Sequence, residues 1–513
     1  MKPWASLRRL LALVLTVMAM PAAAPERAWR AEAAAAPPRP LIFVPGLLGS
    51  RLCRADPAGG AEPHVVWGTL GALPGFPTLR LEPGASDQTI KPCGLLREIV
   101  YLGLFTQQVY APVLAHLESL GYREGSTLFA FDYDWRRSVF DNAAALAAFV
   151  RDKIPDETQK FDILAHSMGG LVSRVYVGKL GGSARTARLL SAGTPFFGSV
   201  KVYETVQQGW GAANLLMGGL TEFRRTMLSF PSAYELMPRY DGCCTGGAGG
   251  APSFVPANIA AWRSLAWQGV DAATMPDLGA TFARVDELRD IIAKPLPSTV
   301  EDVLLVGVDQ RTPHRVVFKQ TGPMMAVQVQ KTWAGDGTVV RESAALAKAP
   351  LRPTSFADHE RILHDPQIQQ FLVVALSRSV IEALREVPVR PRDKVRMPDG
   401  KDTELVGIAI VADQPMYRAG ERGRAYVHVR LGNKQPLALN KLRTFLHTPD
   451  GRRIRIAMRS DPAASEPTNP FEQTFSGRFD VSGGTGTAIL KVTIAVTGRQ
   501  SRVAERSFAV IAP

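Results

Sequence analysis

The stretch that most constrains this chain is the junction Ala165-His166-Ser167-Met168-Gly169-Gly170. An apolar-rich run, Phe161-Asp162-Ile163-Leu164-Ala165, leads into it, and a helix-like pattern over Gly169–Leu180 leads out. A buried strand that turns directly into a helix needs small residues around the turn to avoid clashes, and it exposes the residue at its apex. A serine at that apex is a nucleophile elbow of the G-x-S-x-G kind, here with Ala165 in the first small position and Gly169 in the second. The helix N-terminus beneath it favours developing negative charge. Ser167 is therefore the candidate nucleophile.

A serine hydroxyl needs a base to take its proton and a third group to orient the base. On this architecture the partners follow in the order acid, then histidine. Gly335-Asp336-Gly337-Thr338-Val339 offers an Asp in a tight turn, and Asp358-His359-Glu360-Arg361-Ile362-Leu363 offers a histidine downstream of it. Asp336 and His359 are the expected partners, with Asp302, Asp309, His314 and His364 as competitors. His166 is too close to the nucleophile to serve as its base and is expected to pack or bond locally. An oxyanion hole needs two preset backbone N–H donors. Met168, after the nucleophile, supplies one, and Leu47 in the turn Pro45-Gly46-Leu47-Leu48-Gly49-Ser50 supplies the other. None of this chemistry calls for a metal or cofactor.

Around the junction the pattern is α/β. Strand-like runs at Leu41–Val44, Thr127–Phe131, Phe161–Ala165, Arg188–Ala192 and Asp302–Val308 alternate with helix-like stretches at Tyr110–Leu120, Asn142–Lys153 and Gly169–Leu180. Such alternation predicts a parallel sheet covered on both faces, an α/β-hydrolase fold over 40–387. Pro366 to Val387 reads as one long closing helix. Within this region 199–297 is rich in Gly, Trp, Met and Pro and reads as short helices without strands, a cap or lid insertion that carries Trp210. A linker at 388–400 leads to an all-β pattern over 401–513, an immunoglobulin-like sandwich of short strands between Gly, Asp, Asn and Pro turns. Asp413-Gln414-Pro415-Met416-Tyr417-Arg418-Ala419-Gly420-Glu421 resembles the strand-turn signature of macroglobulin-type immunoglobulin-like modules.

At the N-terminus, Lys2, Arg8 and Arg9 precede the apolar run Leu10 to Met20, and small residues Ala22 to Ala24 follow. This is the pattern of a cleaved signal peptide over 1–24, with a flexible Ala- and Pro-rich leader over 25–39 and a secreted or periplasmic destination. Export permits disulfides. Of the four cysteines, Cys53 and Cys93 would close one early loop, while adjacent Cys243 and Cys244 are either bridged to each other or free; sequence allows three connectivities. Neither pair has partners at metal-ligand spacing. The formal charge is +13, and +9 of it lies from Pro388 onward, where 21 Lys and Arg face 12 Asp and Glu. Basic surface of this kind suits anionic lipid or another polyanion, or is simply solvated. No basic run is dense enough, or interleaved enough with aromatics, to point to nucleic acid.

Several segments together resemble the lecithin:cholesterol acyltransferase family, which includes lysosomal phospholipase A. They are Phe43 to Ser50, Phe131-Asp132-Tyr133-Asp134-Trp135-Arg136, Ala165 to Gly170 and Gly193-Thr194-Pro195-Phe196-Phe197-Gly198. Tyr234-Glu235-Leu236-Met237-Pro238, Gly335 to Val339 and His359 to Leu363 complete the set, in the family's order from about residue 40 to 365. The resemblance implies Ser167, Asp336 and His359 as triad, Leu47 and Met168 as oxyanion donors, and a lid built from the Cys53–Cys93 loop and the later insert. It places Trp67 on a membrane-facing or acyl-binding surface. The basic β-rich tail and the Gly-rich run around Cys243 depart from the family, so the acyl acceptor does not carry over.

The leading expectation is a secreted enzyme that cleaves acyl esters of phospholipid or acylglycerol and passes the chain to water or an alcohol, touching a lipid surface as it does so. The alternatives are a carboxylesterase for soluble or polymeric esters and, from another class, an adhesion protein with an idle hydrolase scaffold.

Overall fold

Runs of Leu, Ile, Val and Phe with no polar alternation can be buried only on both faces, and here they are. Five strands built around such runs are β1 (Leu41–Val44), β2 (Leu128–Ala130), β3 (Phe161–His166), β4 (Thr186–Ala192) and β5 (Glu301–Gly307). With the short β6 (Thr354–Ser355) they form one sheet in the order β6-β5-β4-β3-β1-β2, every pair parallel. All four β1 residues and all six of β3 are buried. The structure is a computed structural model. It describes residues 38–511 apart from 56–62, 83–88, 102–104, 211–212, 247–258, 266, 268, 272–274, 322–323, 347–353, 388–393, 414–415, 463–471, 483 and 498–500. The expected signal peptide, and the expected leader as far as residue 37, lie outside the described residues.

Parallel strands need crossovers, and helices supply them. Helices α1 (Ala111–Ser119), α2 (Val139–Lys153) and α3 (Met168–Lys179) match the periodic stretches read from the sequence. The N-terminus of α2 shows how the insert is tied down. Ser138 caps it by accepting from the Phe140 N–H, while buried Glu235 accepts from the Val139 N–H at 2.7 Å and from the Ser138 hydroxyl at 2.5 Å. One otherwise orphaned helix donor, the Val139 N–H, and the Ser138 hydroxyl thus hold the insert to the core.

Three local expectations change. The insert contains a strand, Cys244–Gly246, which pairs in parallel with Thr312–Thr321, itself half of a hairpin with Met324–Thr332. A three-residue strand inside a Gly-rich run has too short a pattern to read. The closing helix is two, Pro366–Ser377 and Val380–Glu386, because Ser379 is extended (φ −153°) and caps the second by accepting from the Glu382 N–H. Part of the expected linker is strand: Lys394–Arg396 pairs antiparallel with Asp402–Glu404, its alternation hidden by its length.

The C-terminal region has its own apolar core between two five-stranded sheets. One contains β7 (Asp402–Ala412), β8 (Arg422–Leu431) and β11 (Glu472–Asp480). The other contains β9 (Leu442–His447), β10 (Arg453–Ile456), β12 (Gly486–Ile494) and β13 (Arg502–Ile511). The long strands pair antiparallel.

A polar cluster fastens this region to the first. Glu472 on β11 accepts from the Trp333 indole N–H at 2.7 Å. His428 Nδ1 lies 3.2 Å from the same carboxylate, as does Arg311 Nε, whose N–H is not aimed at the oxygen. Gly407 on β7 lies against Trp333 so closely that a Cβ there would stand 2.3 Å from the indole.

Candidate active site

Ser167 sits between β3 and α3 with φ 53° and ψ −126°, a conformation that costs energy for any residue with a Cβ. Its N–H donates to the Ala192 carbonyl at 2.8 Å, which anchors the turn on β4. The flanking glycines are required by close approach. A Cβ on Gly169 would lie 2.4 Å from the Pro45 carbonyl oxygen, and one on Gly170 would lie 1.9 Å from Thr194 Oγ1. Small residues in the elbow thus let the loop after β1 and the loop after β4 close over it.

The sheet brings three distant segments together. His359 Nε2 lies 2.9 Å from Ser167 Oγ, and His359 Nδ1 lies 2.7 Å from Asp336 Oδ2. The other Asp336 oxygen accepts from the Thr338 and Val339 N–H groups, and the Asp336 carbonyl accepts from the His359 N–H. Burial works to lower the His359 pKa, but the charge and hydrogen bond of Asp336 together outweigh it, and the net shift is upward. The competitors lie elsewhere. Asp302 pairs with Arg174, and His314 stacks on Tyr240. Buried Asp309 has a left-handed backbone and its N–H donates to the Trp333 carbonyl, whereas His364 lines the cavity wall without reaching Ser167.

His166 is expected from sequence to pack or bond locally, and its partners instead come from distant segments. The Gly46 N–H donates to Tyr110 Oη at 2.9 Å, and Tyr110 Oη lies 2.8 Å from His166 Nδ1. His166 Nε2 lies 2.9 Å from the His359 carbonyl oxygen. A carbonyl can only accept, so Nε2 carries the proton, and Nδ1 then accepts from the tyrosine hydroxyl. Burial, then the charge of His359, depresses the His166 pKa to about 3, which keeps the ring neutral. The chain Gly46–Tyr110–His166–His359 ties the turn carrying Leu47 to the backbone of the base. Neither residue is marked by its local pattern, and only the fold joins them.

Leu47 and Met168 both lie at the elbow, and among the described residues neither backbone N–H donates a hydrogen bond. The loop holding Leu47 is braced by the Phe131 to Arg136 motif. The Tyr133 hydroxyl donates to the Pro45 carbonyl and the Trp135 indole to the Ser50 carbonyl. Trp67 braces it as well, donating to the Leu48 carbonyl at 3.0 Å. Trp67 is 9 % exposed and packs on Trp135, Phe76 and Trp210, so of its two expected placements the ring takes the inner one, in the wall of the cavity above Ser167, and not an outer membrane-facing surface. Cys53 and Cys93 are bridged, and Cys243 and Cys244 are buried thiols.

Above Ser167 lies a cavity of about 570 Å³. Leu47, Leu48, Trp67, Val202, Trp210 and Met227 give it apolar walls, Lys201, Glu360 and Arg361 stand among its polar groups, and Ile489 reaches it from β12. Among the described residues no group of three or more His, Cys, Asp or Glu could hold a metal ion.

Fold and site define a class first: an α/β-hydrolase arrangement with a histidine in hydrogen-bond reach of both a serine and an aspartate at the end of a parallel sheet. The comparisons then show a family resemblance. Residues 78–280 match the family model described as lecithin:cholesterol acyltransferase, the family the motifs resemble. "Lecithin-cholesterol acyltransferase-like 4" of Arabidopsis thaliana is 26% identical over 163 residues, 27% of this chain and 30% of that protein. "Phospholipase A(1) LCAT3" of the same plant is 25% identical over 330 residues, 52% of this chain and 71% of that protein. The chain thus spans less than a third of the first relative and under three quarters of the second. Among solved structures, Bacillus licheniformis lipase BlEst2 in its propeptide form is 10% identical with a TM-score of 0.32, covering 92% of this chain and 93% of that one. Phospholipase PlaB from Legionella pneumophila is 12% identical with a TM-score of 0.26, covering 92% and 89%. Scores this low add nothing to the fold read directly from the sheet.

Proposed function

We propose that this protein is an exported serine-dependent lipase, phospholipase or O-acyltransferase that cleaves acyl esters of phospholipid or acylglycerol. The observation that carries the reading is the continuous contact from Asp336 Oδ2 through His359 to Ser167 Oγ at the floor of an apolar cavity. Neutral His359 takes the Ser167 proton as the hydroxyl attacks the ester carbonyl. Asp336 orients the ring and stabilises its positive charge. The Leu47 and Met168 N–H groups receive the oxyanion, His359 protonates the leaving alcohol, and the acyl-enzyme passes its chain to water or a second alcohol. An acyl chain suits walls of Leu, Val, Trp and Met better than a soluble ester does. The Cys53–Cys93 bridge supports an oxidising destination, in keeping with the basic, apolar and small segments at the N-terminus. The two-sheet C-terminal region is read as an immunoglobulin-like module.

The experiment is incubation of the wild type and Ser167→Ala with labelled phosphatidylcholine, with and without an acceptor alcohol, followed by product identification. Loss of product in Ser167→Ala is expected, and unchanged acyl-ester turnover in that variant would overturn the reading. Turnover of soluble esters alone would favour the carboxylesterase, and free fatty acid as the sole product would exclude acyl transfer.

A further inference from the structure

The second sheet of the C-terminal region turns a basic face outward, and strand alternation shows which residues lie on it. Along β9, Leu442, Thr444 and Leu446 are buried, whereas Arg443 is exposed and Phe445 and His447 are half-buried. On β10, Ile456 is buried and Arg453 and Arg455 are exposed. On β12, Ala488, Leu490 and Val492 are buried, which turns Ile489 and Lys491 outward. In register, Phe445 stands opposite Arg455 on one side and Lys491 on the other, and His447 stands between Arg453 and Ile489. Residues opposite one another across an antiparallel pair share a face at about 5 Å. The result is two parallel rows, Arg455-Phe445-Lys491 and Arg453-His447-Ile489, with Arg443 at their edge.

Three observations give this face a direction. Among the described residues, Arg443, Arg453 and Arg455 have no carboxylate within ion-pair distance, and the Arg453 guanidinium lies 3.6 Å over the Phe445 ring. Asp450, just past the end of β9, is taken by Arg452. The row that begins at Arg453 ends at Ile489, and Ile489 is part of the wall of the Ser167 cavity. Cations interleaved with an aromatic and an aliphatic side chain, leading to the wall of an apolar cavity, match a layer of anionic headgroups over acyl chains.

We propose that this face docks on an anionic phospholipid surface and holds the mouth of the Ser167 cavity against it. The purpose assigned to the docking rests on the lipid-ester reading above; the docking itself does not need catalysis. The test is co-sedimentation of the full chain with vesicles of phosphatidylglycerol and phosphatidylcholine, and with phosphatidylcholine alone, in about 0.1 M salt. Wild type is compared with the triple variant Arg443→Glu, Arg453→Glu, Arg455→Glu. The wild type should prefer the anionic vesicles, and the variant should bind them roughly 100-fold more weakly, while hydrolysing a short soluble ester as fast as wild type. If the Glu variant does not fold, Arg→Gln at the same positions carries the test with a smaller loss in the same direction. Equal binding of wild type and variant to the anionic vesicles would overturn the proposal, as would equal wild-type binding to both vesicle types. So would a variant that loses binding only to heparin or duplex DNA. Vesicle binding that persists in a protein unable to cleave phospholipid would count against the catalytic reading alone.

Discussion

Replacing Tyr110 with Phe deletes one oxygen from the chain that ties the oxyanion turn to the base. The ring itself should stay, because it packs edge-on against Phe43 at 5.1 Å and needs no hydroxyl for that contact. Two buried groups lose their partners, the Gly46 N–H at 2.9 Å and His166 Nδ1 at 2.8 Å. An unsatisfied buried polar group costs about 1–3 kcal/mol, so the pair together costs roughly 2–6 kcal/mol. Part of that will appear as lost thermal stability. The rest will be relieved by movement of the Gly46-Leu47 turn, which displaces a donor needed only when negative charge develops on the substrate oxygen. Interactions confined to the transition state act on kcat and leave KM nearly alone. The expected result is a fall in kcat of roughly 10- to 100-fold on a short soluble ester, a small change in KM and a lower Tm. A kcat within twofold of wild type would refute the reasoning, as would a raised KM with unchanged kcat.

Three further outcomes follow from the same structure. His359 must be neutral to accept a proton, and burial opposed by the stronger pull of Asp336 leaves its pKa above the ordinary 6.5. The pH profile of kcat/KM should therefore lose activity on acidification with a midpoint above 6.5; a midpoint below 6 would contradict the Asp336 contact. Burial pushes Glu235 up from 4.5 to about 7, so the folded chain binds this proton more tightly than the unfolded one. The associated stabilisation is full below about 4.5 and is lost as pH rises to about 7, roughly 3 kcal/mol in all. Thermal melts of Glu235→Gln and wild type should thus diverge with pH across that window, and a pH-independent difference would sink the idea. Glu472→Ala leaves the Trp333 indole without its acceptor and removes the carboxylate beside Arg311 and His428. Breaking a buried ionic cluster costs about 3–5 kcal/mol. Because Trp333 lies three residues before Asp336, kcat should fall along with the melting temperature, and an unchanged kcat in the folded variant would separate the two regions functionally.

What could be read without coordinates is what local pattern encodes. The five main strands of the parallel sheet are built around apolar runs, and α1 to α3 carry a helical period, so each declared itself locally. The elbow declared Ser167 because strand, small residues and helix are contiguous. Asp336 and His359 were legible as candidates through their order along the chain. Whether they met Ser167 depended on β5 lying beside β4, a contact between residues more than a hundred positions apart. Short elements such as Cys244–Gly246 and Lys394–Arg396 escaped because three residues hold too little alternation and neither carries the apolar run that marks the equally short β2. For Trp67 the choice between an outer and an inner surface was not legible: an exposed and a buried tryptophan look alike in sequence, and only its packing on Trp135 and Trp210 in the cavity wall tells them apart. The partners of His166 were likewise invisible, since Tyr110 and the His359 carbonyl come from segments 56 and 193 residues away. Composition showed that the C-terminal region is basic. That Arg443, Arg453, Arg455 and Lys491 share one face, in register with the residue that reaches the Ser167 cavity, was decided by strand pairing alone, because register assigns every side chain to one side of a sheet or the other.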